Sequence, residues 1–139
     1  MVTFKTLKEK HLPFLLEIRN DESTRKFLEV DKTFTLEECK KWYKGLKEPY
    51  LLILNENKEK VGYFRVIGDQ IGVDIHPNHR RKGYAKSAYK EYLKDKKFAS
   101  LWVFEDNFAL ELYKKLGFIH TGEVREERGR SVIRMEWTS

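Results

Sequence analysis

Apolar residues along the 139-residue chain follow two periodicities. Alternation, or short apolar runs bounded by turn residues, predicts strands at 3–7, 50–55, 61–67, 71–75, 98–104, 118–124 and 132–137. Helical spacing predicts the rest. Leu12, Leu15, Leu16 and Ile18 share a face that starts at Pro13, a residue tolerated in a first turn, and stops near Asn20. Residues 22–28 read as a second short helix. Thr35 followed by Glu38 is a capping box; the helix it opens is expected to bury Leu36, Cys39, Tyr43 and Leu46, with Trp42 beside them. From Gly83 to about Lys94, Tyr84, Ala85, Ala88, Tyr89, Tyr92 and Leu93 fall on one face and Lys86, Lys90 and Lys94 on the other. Asp106 or Asn107 caps a last helix over 108–116, which Gly117 ends. Gly68-Asp69 signals a tight hairpin, and 125–130 reads as a charged turn. The order β-α-α-α-β-β-β-α-β-α-β-β predicts an α/β fold: a mixed sheet with helices on its faces, in one domain over 1–139.

Composition supports a packed core. The chain is 40% apolar and 14% aromatic, which outweighs 36% charged residues as a sign of folding. The longest apolar run, 50–54, is far too short to cross a bilayer, so no membrane partner is expected. Residues 1–5 carry no apolar signal segment, and the one cysteine, Cys39, has no partner for a disulfide. A cytoplasmic setting is the expectation.

The net charge of +6 is concentrated. Residues 80–97 hold eight Lys or Arg against Glu91 and Asp95. Lysines on the outer helix face explain part of this. They leave Arg80, Arg81 and Lys82 unexplained, immediately before Gly83. A basic, glycine-containing loop at the start of a buried helix places unpaired N–H groups and the positive end of the helix dipole together. Gly83 lets a ligand approach the backbone. The pattern points to a phosphate cradle. No stacking aromatics interleave with the cluster, so a nucleic acid is not the expected partner. His79 and His120 lack partners at metal-ligand spacing, so no metal site is expected.

Three pieces in order make the chain resemble the GNAT acyltransferase superfamily. Arg80-Arg81-Lys82-Gly83-Tyr84-Ala85, preceded by Ile75-His76-Pro77, fits that family's coenzyme A loop. Asn107 heads the next helix, with Ala109 after it. Leu112-Tyr113-Lys114-Lys115-Leu116-Gly117-Phe118 is similar to the family's helix-end motif. Ile18-Arg19-Asn20-Asp21 and Trp42 match more loosely and look like the branch of ribosomal-protein N-terminal and sugar-nucleotide amine acetyltransferases.

The resemblance implies a GNAT-like sheet, mostly antiparallel, with one parallel pair splayed apart to admit a thioester. It implies acetyl-CoA as donor, with pyrophosphate on the N–H groups of Arg81, Lys82, Gly83, Tyr84 and Ala85, and with Arg80 and Lys82 adding charge. The pantetheine arm is expected beside Asp74, Ile75 and His76, and Asn107 is expected to bind or orient it. The implied reaction is direct transfer to a primary amine, on a small molecule, an amino sugar nucleotide or a protein N-terminus. A backbone N–H near Ile75 would meet the developing oxyanion, and Tyr113 matches the family's general acid. The base stays open. Relatives carry a carboxylate where this chain has Trp102, leaving Asp74, Glu105 and His76, of which Asp74 is favoured. Arg19, Asn20, Arg25, Phe27, Trp42 and Tyr63 are candidates for an acceptor pocket between the first two helices and the last strand pair. The alternative is a non-catalytic acyl-CoA-binding module. A monomer or homodimer is expected, because the last strands offer an edge.

Overall fold

Seven strands form a single sheet in the order β1-β2-β3-β4-β5-β7-β6 in the computed structural model, which describes residues 1–28 and 31–139. The strands are β1 (Thr3–Thr6), β2 (Leu51–Leu54), β3 (Lys60–Ile67), β4 (Gln70–Ile75), β5 (Phe98–Phe104), β6 (Ile119–Glu127) and β7 (Arg130–Thr138). Every neighbouring pair is antiparallel except β4 and β5, which run parallel. The helices are α1 (Leu12–Arg19), α2 (Glu22–Arg25), α3 (Leu36–Lys44), α4 (Tyr84–Leu93) and α5 (Ala109–Leu116). No helix among the described residues is long and apolar enough to cross a membrane.

Alternation along each strand gives the sheet two apolar faces, each covered by its own helices. On one face Phe64, Val66, Leu101, Val103 and Met135 meet Ala88, Tyr89 and Leu93 of α4 and Tyr113 of α5. Phe64 anchors this layer: Tyr92 stacks on it at 4.5 Å and Tyr89 meets it edge-on at 5.6 Å. On the other face Leu52, Leu54 and Tyr63 meet Leu12, Leu15 and Ile18 of α1 and Cys39 of α3. Each fully buried Leu or Ile in these layers is worth about 1.5–3 kcal/mol over its exposed state.

Local signals hold where they are chemical. Thr35 and Glu38 make the reciprocal capping box that opens α3, at 3.1 and 3.0 Å. Asp21 caps α2 by accepting from the Ser23 N–H. Three expectations are corrected. Residues 125–130 are not a charged turn: β6 and β7 run through them, and the reversal is only Arg128-Gly129, both with positive φ (54° and 72°). Such a two-residue turn matches strand twist, and the charges belong to a solvent-facing edge strand. Leu36 is exposed rather than buried, because as the first residue of α3 it precedes the turn that packs on α1. The second helix ends at Arg25, with hydrogen-bonded turns continuing to Leu28.

Candidate active site

β4 and β5 are paired at one position only, Gln70 opposite Ser100. There the Ser100 N–H donates to the Asp69 carbonyl at 2.8 Å and the Ser100 hydroxyl to the Asp69 carboxylate at 3.1 Å. Beyond it the strands diverge and leave a gap between the C-terminal half of β4 and β5. The His76 N–H donates to the Val61 carbonyl of the strand on the other side. Antiparallel alternation therefore turns the Val73 and Ile75 N–H groups toward the gap. The backbone groups of His76 are committed, since its carbonyl accepts from the His79 N–H. Its ring is too: Nδ1 accepts from the Asn78 N–H, Nε2 faces Glu17 at 3.2 Å, and the plane stacks on Phe14.

The chain then turns into α4. Arg81 and Gly83 both adopt positive φ, 62° and 78°. Two left-handed residues flanking Lys82 curl the backbone into a concave turn of the kind that presents N–H groups to an anion. A Cβ at Gly83 would meet nothing within 4 Å, so the turn opens outward instead of packing on its own protein. Ser87 is the first α4 residue whose N–H reaches Gly83, and among the described residues the N–H groups of 81–86 have no acceptor. Arg80 sits differently from the expected phosphate contact. Its Nε donates to the Ile75 carbonyl at 3.1 Å, Nη2 to Thr24 Oγ1 at 2.7 Å, and Nη1 to Ser23 Oγ. It ties the turn to α2 and to the end of β4. Tyr84 anchors the other flank, its hydroxyl accepting from buried Asn55.

Tyr113 lies on the α4/α5 side of the sheet. Tyr89 donates to its hydroxyl at 3.3 Å, and Tyr89 and Phe118 pack edge-on around its ring. Burial pushes the Tyr113 phenol above its ordinary value, against the pull of the Tyr89 hydrogen bond. Because Tyr89 is the donor, Tyr113 keeps its own proton for another acceptor. Asn107 accepts the Ala109 N–H at 2.9 Å, which caps α5 and leaves its amide NH2 without an acceptor among the described residues.

The opposite side of the sheet carries Asp74. Arg65, on the neighbouring strand β3 and two residues along from Tyr63, the cross-strand partner of Asp74, pairs with that carboxylate at 3.1 Å. A Cβ at Gly72 would overlap the Arg65 guanidinium, which lies flat over that glycine. Arg65 in turn forms the floor of a cleft of about 550 Å³ between α1 and α3, walled by Arg19, Phe34, Trp42, Tyr50 and Tyr63. Burial, then the Asp74 charge, pushes the Tyr63 phenol well above its ordinary value. A second recess, of about 570 Å³, lies where the sequence placed the acceptor pocket, between α2 and the last hairpin, lined by Asp21, Ser23, Arg25, Lys26, Asp31 and Arg128. Arg128 and Arg130 donate to the carbonyls of Arg25, Lys26 and Leu28 and join the hairpin to that segment.

Of the acceptor candidates, Arg19, Trp42 and Tyr63 come together in the cleft. Asn20 supports its wall, exchanging two 2.8 Å hydrogen bonds with the Phe34 backbone. Arg25 pairs with Asp31, and Phe27 packs on Phe108, both outside the cleft. Glu105 is exposed beside Asp106 and Arg130. Trp102 carries the Arg125 guanidinium on its ring at 4.2 Å. Sequence reasoning missed Arg65, Gly72, Phe34 and Tyr89. The available signal was Arg65, one charge inside the apolar run 61–67. Among the described residues no group of three or more His, Cys, Asp or Glu is placed to hold a metal ion.

The family model for the acetyltransferase (GNAT) domain matches residues 18–139. No curated protein sequence matches the chain. Among solved structures, spermidine N-acetyltransferase from Vibrio cholerae in complex with CoA and spermine superposes with a TM-score of 0.88 at 21% identity, covering 99% of this chain and 95% of that one. An acetyltransferase (GNAT family) from Bacillus anthracis gives 0.81 at 16%, covering 99% and 94%. An N-acetyltransferase from Staphylococcus aureus Mu50 gives 0.76 at 18%, covering 99% and 98%. At these identities the superpositions speak for the fold, and the family model for the lineage: the chain belongs to the GNAT acetyltransferase family.

Proposed function

We propose that this protein transfers an acetyl group from acetyl-CoA directly to a primary amine. One observation carries the reading: a splayed β4/β5 pair with inward N–H groups, ending in an outward-opening turn of unpartnered backbone donors. A donor with a diphosphate and an amide-bearing arm fits both features. The N–H groups of Arg81 to Ala85 take the diphosphate, Lys82 adds charge, and the β4 edge pairs with the arm like an added strand. When bound, acetyl-CoA supplies an electrophilic carbonyl on a thiol leaving group.

The chain's own groups do the rest. Ile75 N–H, aimed into the gap, meets the negative charge that develops on the carbonyl oxygen. Tyr113 gives its proton to the departing sulfur. Asn107 orients the arm with its free amide. The amine must shed a proton, since such groups are mostly protonated at neutral pH. Asp74 is proposed to receive it through water. Glu105 is too exposed, and His76 is held by Glu17 and Asn78. The N–C bond forms as the C–S bond breaks, with the amine proton leaving through Asp74 and the thiolate protonated by Tyr113. A primary amine on a small molecule, an amino sugar nucleotide or a protein N-terminus meets this requirement.

A second reading is an acyl-CoA-binding module without turnover. Its specific support is Trp102, stacked with Arg125 where relatives carry a carboxylate. An assay of free CoA release across amine classes decides between them. The acetyltransferase reading expects amine-dependent release that Tyr113→Phe slows. Tight acetyl-CoA binding with no release for any amine would leave the binding module.

A further inference from the structure

The acceptor cleft has a charge pattern that narrows its substrate, and this inference rests on the acetyltransferase reading above. Arg19 and Lys41 line it with no carboxylate partner among the described residues. The Arg19 guanidinium lies over the Phe34 ring, 4.7 Å from its centroid. Arg65 forms the floor, and about a third of its side chain stays exposed although Asp74 pairs with it from behind. Lys32 sits over the other reach of Phe34 at 5.2 Å. Against these four cations stand, among the described residues, two carboxylates, and both are engaged. Glu38 accepts the Thr35 N–H and pairs with Lys32, and Asp74 pairs with Arg65. Trp42 and Tyr50, edge to face at 5.1 Å, complete an aromatic wall.

We infer that the acceptor is a primary amine that also carries an anionic group, a carboxylate or a phosphate, on an apolar body. Arg19 and Lys41 hold the anion, and the aromatic wall covers the body. A polyamine is disfavoured, because a second ammonium would be placed among uncompensated cations inside a partly desolvated cleft. The fold is shared with a structure holding spermine. The side chains lining this cleft suit the opposite charge.

The test uses matched amines: phenylalanine against 2-phenylethylamine for a carboxylate, O-phosphoethanolamine against ethanolamine for a phosphate, and spermidine. Each is titrated into the CoA-bound protein by calorimetry and assayed for CoA release from acetyl-CoA. In at least one pair the anionic member is expected to bind about 10–100-fold more tightly than its neutral partner. The responding pair identifies the anion. Arg19→Gln with Lys41→Gln is expected to bring that ratio to within about threefold. Arg19→Lys, which keeps the charge, restores most of it. Equal binding within both pairs, a preference for spermidine, or a ratio untouched by the double variant overturns the inference. Absence of acetyl-CoA binding, or of turnover with every amine, overturns the acetyltransferase reading instead, while the same titrations into the protein without CoA still report on the anion.

Discussion

In the proposed transfer Tyr113 delivers the proton, and its surroundings set the pH at which it would do so. Burial raises its phenol, so the proton is retained up to and beyond the ordinary value near ~10. An acid with a raised value is lost only as pH climbs through that value. The alkaline limb of kcat that belongs to Tyr113 should therefore lie above pH ~10, and Tyr113→Phe should lower kcat about 100-fold while leaving acetyl-CoA affinity nearly unchanged. Steady-state kinetics carried from about pH 6 to about pH 11, with calorimetry, checks both. The same rule applies to stability: buried Tyr63 and Tyr89 are also raised, so their contribution is present below pH ~10 and falls as pH rises further. Gly72 gives a second prediction. Alanine there overlaps the Arg65 guanidinium, so Gly72→Ala should cost about 1–3 kcal/mol and raise the acceptor KM more than the acetyl-CoA KM. Tyr113 could be named a candidate from the sequence because a local motif surrounds it. Arg65 over Gly72 was not, because their meeting depends on cross-strand register, in which Arg65 faces Gly72 and Tyr63 faces Asp74.

At the scale of elements, the turn into α4 carries most of the donor-binding account. Gly83 is left-handed with open space around it, so Gly83→Ala strains the backbone without a clash. The cost should be about 1–2 kcal/mol, read as a lowered Tm, and CoA affinity should fall because the donors swing out of line. The elements themselves were readable wherever one chemical rule governs them: the Thr35/Glu38 box, the lysine and aromatic faces of α4, the glycine that ends α5. The β6/β7 hairpin was misread because charge on an edge strand looks like charge in a turn. Arg128 and Arg130 fasten the hairpin to the segment after α2 and leave a recess of about 570 Å³ beside it.

The whole molecule is a sheet with different groups on its two faces: α4 and α5 carry Tyr113 and the proposed donor turn, α1 and α3 wall the proposed acceptor cleft, and the β4/β5 gap lies in the sheet between them. Arg130 helps keep the two halves in register, pairing with Asp106 and stacking on Phe104 at 3.9 Å while it reaches Lys26. Its hydrogen bond and charge hold the Asp106 carboxyl below the usual carboxylate range. The stabilisation is then present above the unfolded value near ~3.9 and is lost as pH falls through the lower folded one. Arg130→Gln should be less stable than wild type at pH 7, with the gap shrinking toward pH 2 in urea unfolding. The central claim is that backbone donors of the α4 turn grip a diphosphate and thereby aim a thioester through the gap toward Tyr113. Amide NMR of the protein titrated with CoA tests it most directly. The account predicts large shifts and exchange protection at the N–H groups of Arg81 to Ala85 and at Val73 and Ile75. Saturating CoA that leaves those amides unmoved, with shifts confined to the outer lysines of α4, would contradict it.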